Sequence, residues 1–235
     1  MHYRTRFFAQ ALFVIAAAIA ALLAAYASGQ EHSMKHTATE PTIETDPADV
    51  TEPSIDPNPR AARVVSFWID AGPALWFAKD KEFDARFRER FLHEHEAATR
   101  GELRHWQNTA EGALALVLLL DQFPRNAFRG TPRMYSTDAL ARRVARQALA
   151  AGYEREIPLE LRKFFVLPLA HSEDVADQER SVALARNLGP VDLLHAEHHR
   201  DIVRRFGRFP HRNAILGRES TPAEVAYLAN GGYTG

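Results

Sequence analysis

Four short stretches of this chain gather the residues able to do chemistry: Asp121-Gln122-Phe123-Pro124-Arg125-Asn126, His171-Ser172-Glu173-Asp174, Asp177 to Ser181, and 208–221. In each, charged side chains interrupt or adjoin strongly apolar sequence. Arg125, Arg208, Arg212 and Arg218 stand against Asp121, Glu173, Asp174 and Glu219, with Asn126, Asn213, His171 and His211 as further polar groups. A charge drawn into a core is costly unless it is paired and hydrogen-bonded. The even balance therefore predicts either a self-neutralising network that clamps helix ends, or a pocket in which some arginines stay free. Arginine forks beside asparagine amides suit a carboxylate or phosphate group. His171, beside Glu173 and Asp174, has the makings of a general base held by a carboxylate, and His211 is a second acid–base candidate. Ser172 reads as a helix cap rather than a nucleophile. Gly-x-Ser-x-Gly, phosphate-loop and dinucleotide signatures are absent from the sequence, and no cofactor is implied.

Metal ligation is the remaining chemistry. His195 and His199 share the i, i+4 spacing of paired zinc ligands, but neither His-Glu-x-x-His nor His-x-x-Glu-His occurs. His198 falls between Leu194 and Ile202 on an apolar stripe, which predicts a core histidine. His93-Glu94-His95-Glu96 reads as a solvated helix face, so no metal site is expected.

The elements that must position these residues are helical. The stretch 113–126, ALALVLLLDQFPRN, is apolar on every side from Leu114 to Leu120, which predicts a central helix from about Thr109 to Phe123. Proline after Phe123 and again after Phe209 should end a helix or turn the chain. Phe123-Pro124-Arg125-Asn126 is echoed by Phe209-Pro210-His211-Arg212-Asn213, so two helix ends carry the same polar cluster. Phe83, Phe87 and Phe91 stripe a helix from about Lys81 to Thr99. Ser136 or Thr137 opens another that stops at Gly152, and Pro158 leads into Phe164 and Phe165. Val191, Leu194, Ile202 and Phe206 stripe a helix ending at Gly207, and Thr221-Pro222-Ala223-Glu224 is a capping box for a last one. Trp68 and Trp76 read as aromatic core. Strand alternation is missing throughout. The fold class is all-α, antiparallel helices joined by short loops.

Residues 1–30 stand apart. Arg4 and Arg6 precede an uncharged apolar stretch with Ala25-Tyr26-Ala27 as a small-x-small site, the layout of a secretory signal or an uncleaved membrane anchor. The rest is then expected in the periplasm. Residues 31–60 hold seven acidic residues, five prolines and no aromatic residue, the composition of a linker. Residues 61–235 form one domain with 25 Lys and Arg against 23 Asp and Glu, so no nucleic-acid footprint is visible. The chain has no cysteine, and the domain must be stabilised by its core alone.

The motifs together resemble an uncharacterised bacterial family, the domain of unknown function 924. The likeness rests on Phe67-Trp68, Trp76-Phe77, Phe83-Asp84, Trp106, the Leu120-Asp121-Gln122-Phe123-Pro124-Arg125-Asn126 string, and Pro168 with His171-Ser172-Glu173-Asp174. It continues through Gln178-Glu179-Arg180-Ser181, His199, the run from Phe206-Gly207-Arg208 to Asn213, and Leu216-Gly217-Arg218-Glu219-Ser220-Thr221. The resemblance implies an all-helical fold similar to tetratricopeptide arrays without their consensus. It implies no established activity, substrate or catalytic residue, and it leaves the first 60 residues outside the family pattern. Three functions therefore fit. The first is a module binding a peptide or small anionic ligand at the helix-end cluster; the second is a hydrolase or transferase acting on an anionic substrate through His171 or His211; in the third the clusters serve only as structural clamps.

Overall fold

The computed structural model describes residues 58–235, and the expected signal or anchor and nearly all of the expected linker lie outside them. Among the described residues there is no strand, and the helices follow one another with short connections. Helix α1 spans Pro59–Ala71, α2 Pro73–Trp76, α3 Lys81–Thr99, α4 Ala110–Val117, α5 Phe123–Ala127, α6 Asp138–Ala151, α7 Lys163–Ala170, α8 Val175–Ala185, α9 Pro190–Phe206 and α10 Pro222–Ala229. Helices adjacent in sequence pack side by side from α6 through α9, while α4 lies against α1, α6 and α7.

The apolar stretch is buried as its composition demands. Every residue from Ala113 to Leu120 is buried, and the aromatic stripe Phe83, Phe87 and Phe91 packs against it with Phe67, Trp68 and Phe123. Trp68 and Trp76 stack in the same core, with the Trp76 Nε1–H donating to the Trp68 carbonyl at 2.7 Å. Ala61, Val64 and Val65 of α1, with Trp68, close the core from one side.

The central helix departs from expectation at its far end. Pro124 does not stop it. Residues 118–122 form a π-turn, with the Phe123 N–H reaching back five residues to the Leu118 carbonyl, and helix α5 continues from there to Ala127. Pro124 has no N–H to give, and the carbonyls upstream are met by side chains instead. His95 Nδ1–H donates to Leu119 O at 2.9 Å, Thr137 Oγ1–H to Leu120 O at 2.6 Å, and Arg125 Nη1–H to Asp121 O at 2.7 Å. One extra residue in a turn rotates everything after it by about 100° about the axis. The turn thereby sets the direction of Arg125 and Asn126. It also corrects the expectation for His95, which is buried on the core side of α3 rather than on a solvated face.

Helix α9 is also rotated from its expected stripe. Val191 and Leu194 are exposed, and the buried face is Ala196, His199, Ile202 and Val203. His199 is thus the inward histidine, not His198. Gly207, left-handed at φ 70°, ends the helix and turns the chain so that 208–213 fold back against α6 and the π-turn.

Candidate functional site

The two echoed motifs meet. Phe123 and Phe209 are both fully buried, and each anchors an arginine beside Asp138 at the start of α6. Arg125 makes a bidentate pair with Asp138, at 2.9 and 3.0 Å, and lies 3.1 Å from Asp121 Oδ1. Arg212 comes from the opposite strand of chain. Its guanidinium sits 4.4 Å over the Phe209 ring and 4.7 Å over the Tyr135 ring, and its nearest carboxylate oxygen is Asp138 Oδ2 at 3.6 Å. That oxygen is already engaged by Arg125. Arg212 is only 7% exposed, its Nε–H finds no partner, and its guanidinium makes no hydrogen bond within the described residues, the backbone N–H alone donating to Phe209 O at 3.1 Å. Burial, then the neighbouring Arg125 charge, press its pKa down from the ordinary value.

The expected pairing of four arginines with four acids is therefore corrected in detail. Arg218 forks onto Glu173 at 2.7 and 3.0 Å, and Glu173 also accepts from the Phe209 N–H. Arg208 forks onto Glu224 of the capping box at 2.7 and 2.8 Å and reaches only the backbone carbonyl of Glu219, whose side chain is exposed. Asp174 caps α8 by accepting from the Asp177 N–H at 3.1 Å, with Ser172 Oγ accepting from the Asp174 N–H. Asn213 ties Arg218 to Ser220. Asn126 donates to Asp84, which also holds Arg129. Arg208, Arg218, Glu173, Asp174, Asn213 and Glu219 thus frame the site without entering it. Asp138, which the sequence disguises as an ordinary first-turn acid of α6, is the carboxylate both central arginines share.

His171 has a carboxylate partner, but it is Asp121 rather than Glu173 or Asp174. Nδ1 lies 2.8 Å from Asp121 Oδ1, and Gln122 Nε2 donates to Oδ2 at 2.7 Å. Burial pushes the Asp121 carboxyl up, yet Arg125, His171 and the two hydrogen bonds outweigh it and hold the pKa at about 2. Burial, with Arg125 second, lowers His171. An ionised Asp121 and a neutral imidazole then require Nδ1–H to donate, which leaves Nε2 as a bare acceptor. His199 repeats the arrangement: Nδ1–H donates to the His195 carbonyl at 2.7 Å, and burial, then His171, bring its pKa to about 3. His211 is also brought to about 3, first by burial and then by Arg212, and its Nδ1 has no partner. Among the described residues no three His, Cys, Asp or Glu side chains are placed to hold a metal ion. His195 is exposed and turned away from the role that its spacing suggested.

These groups surround one cleft of ≈ 220 Å³. Gln122, Arg125, Asn126 and Arg129 from the π-turn and α5 form its floor, His171, His199, His211 and Arg212 one wall, and Tyr135 and Tyr233 the sides. Lys79 lies at its edge and donates to a Gly235 oxygen. No Asp or Glu side chain lines the cleft; Asp121, Asp138 and Asp84 all sit behind the cations they hold. The surface presented carries cations, imidazoles, amides and phenols against an apolar backing of Trp76, Phe77, Ala78 and Met134.

Comparison with known proteins places this arrangement in a family. The family described as "Bacterial protein of unknown function (DUF924)" matches residues 64–232. The chain belongs to that family. A solved structure, a protein of unknown function, ATU0120, from Agrobacterium tumefaciens, is 55% identical, covering 74% of this chain and 98% of its own, with a TM-score of 0.73. A search of curated proteins returned no match. The family match spans every element of the cleft up to α10, with Tyr233 and Gly235 just beyond it. The all-helical expectation drawn from the resemblance holds for this member of DUF924.

Proposed function

We propose that this domain binds a small molecule through a carboxylate or phosphate group in the Arg125–Arg212 cleft. The observation that carries the reading is Arg212: a buried guanidinium without a hydrogen bond, on a cleft wall, in a site lined by no Asp or Glu side chain. A buried donor left unmade costs about 1–3 kcal/mol, more when charged, and a fold keeps such a group only against another gain. Its partner Arg125 is neutralised twice over, which fixes the floor of the site and leaves Arg212 as the fork available to an incoming oxyanion. An enclosed cleft of this size suits a small ligand better than an extended peptide. Residues 1–30, read as an export signal or anchor, would deliver the domain to the periplasm. Isothermal titration of the protein with inorganic phosphate and with acetate tests the proposal. Binding that is lost in Arg212→Gln and kept in Arg208→Gln supports it; binding unaffected by Arg212→Gln, or no binding of either anion, overturns it.

A second reading is favoured by one specific observation, the buried Asp121–His171 pair with its bare Nε2 on the cleft. A carboxylate that orients a neutral imidazole is the arrangement of a general base, and Nε2 would take a proton from water or a substrate hydroxyl beside a bound anion. In this reading the domain is a hydrolase or transferase of anionic substrates. Turnover in a panel of carboxylate- and phosphate-bearing esters, abolished by His171→Gln while anion binding persists, supports catalysis. Turnover untouched by His171→Gln removes His171 from it.

A further inference from the structure

The cation-bearing cleft has a more apolar neighbour. A second cleft of ≈ 310 Å³ opens between α7, α8 and α9, and it shares Phe77, His171, His199 and Tyr233 with the first. Alanines make the room for it: Ala170, Ala185 and Ala196, one from each helix, are buried where larger side chains would close the gap. Val166, Leu167 and Leu188 add to a mainly apolar lining, and the exposed Phe77, Val191 and His195 also line it. Its two charged liners, Lys163 and Asp192, neutralise each other at 2.9 Å. One cleft therefore offers cations with no Asp or Glu side chain among its liners, the next is lined chiefly by hydrocarbon with its Lys163–Asp192 pair neutralised, and a collar of His171, His199 and Tyr233 belongs to both.

We infer that the ligand is an amphiphilic anion, with a carboxylate or phosphate head on Arg212 and an unbranched apolar tail lying past His199 and Tyr233 in the alanine-walled cleft. This rests on the anion reading above and adds the class of molecule. The neutral state of His199 suits the passage, because a charged imidazole at the collar would have to be desolvated by the tail. Phe77, a large aromatic side chain left 59% exposed at the junction, gains a reason for its position: it covers the tail where the two clefts meet.

The test is a chain-length series measured on the full chain by calorimetry: acetate, butanoate, hexanoate and octanoate, with hexyl phosphate and hexanol as head-group controls. Each methylene buried should tighten binding roughly fourfold until the cleft is filled. Val191→Glu, at an exposed rim position where folding is not at stake, should weaken hexanoate about tenfold and leave acetate unchanged. Hexyl phosphate against hexanoate distinguishes the two head groups. If acetate and phosphate bind but affinity does not climb with chain length, the amphiphile is overturned and the anion site stands. If no anion of any length binds, both fail together. Hexanol binding as tightly as hexanoate, or hexanoate binding unaffected by Arg212→Gln, also overturns it, because the tail would then bind without its head.

Discussion

Arg125 and Arg212 are neighbours with the same acid between them, yet their removal should have opposite consequences. In Arg125→Met, Asp121 loses a contact at 3.1 Å and Asp138 loses both of its hydrogen bonds, leaving two buried carboxylates short of partners. Breaking a buried pair in this way costs about 3–5 kcal/mol. In Arg212→Met, Asp138 keeps its bidentate hold on Arg125, no hydrogen bond is lost, and the repulsion between two adjacent guanidiniums disappears. Methionine keeps the apolar stem on Phe209 and Tyr135, so the loss is a cation–π contribution of about 0.5–2 kcal/mol. Against it stands the relief of a desolvated cation; replacing buried ionic groups with apolar ones is often neutral or stabilising by about 1–4 kcal/mol. Arg212→Met should therefore fall within about 1 kcal/mol of the parent, or above it. Urea unfolding at pH 7.5, followed by the fluorescence of the three buried tryptophans, gives both values from the midpoint at constant slope. A loss of 3 kcal/mol or more in Arg212→Met would refute the reasoning, since Arg212 would then be a structural clamp like Arg125.

Two further outcomes follow from the same geometry. His199 and His211, at about 3 in the fold, have ordinary values near 6.5, so between those limits the unfolded chain takes up protons that the fold refuses. Stability should rise with pH up to about 6.5 and level off above it, each histidine contributing on the order of 1.4 kcal/mol per pH unit inside the window; urea midpoints at pH 5, 6 and 7.5 check this, and His211→Phe should flatten the slope. Asp121 adds a separate loss at lower pH, as the pH falls through 3.8 towards its folded value of about 2. Thr137→Val removes the one side-chain donor that the described residues give to the Leu120 carbonyl and should cost about 1–3 kcal/mol, whereas Thr137→Ser should be nearly neutral by the same urea assay.

The sequence made some of this legible and hid the rest for identifiable reasons. The phenylalanine stripe of α3, the buried run of α4 and the Thr221–Glu224 capping box each follow from local pattern, and each formed as read. The echo of Phe-Pro-Arg-Asn was visible too, and its two copies do meet. What could not be read was the π-turn: a proline that normally stops a helix is accepted here because His95 and Thr137, 24 and 17 residues away from the carbonyls they serve, replace the missing donor. The pairing of the charges was equally hidden. Counting four arginines against four acids gave a balance, but burial and direction decide partners, and Asp138 and Glu224 took places assigned to Asp174 and Glu219. His171 does face a carboxylate, but that carboxylate, Asp121, lies 50 residues upstream rather than next door. The inward turn of His199 goes with Val191 and Leu194 facing outward, Val191 at the apolar cleft, which an apolar stripe alone does not reveal.

The central claim is that Arg212, and no other arginine of the cluster, is held ready for an anion. The arginine Nε–H resonances of the folded protein report on this directly, with the Arg212 signal assigned by its disappearance in Arg212→Lys. On addition of hexanoate, the Arg212 resonance should shift saturably while those of Arg208 and Arg218, each locked to a glutamate, stay in place. An unmoved Arg212 signal at concentrations of hexanoate that shift the others would contradict the claim.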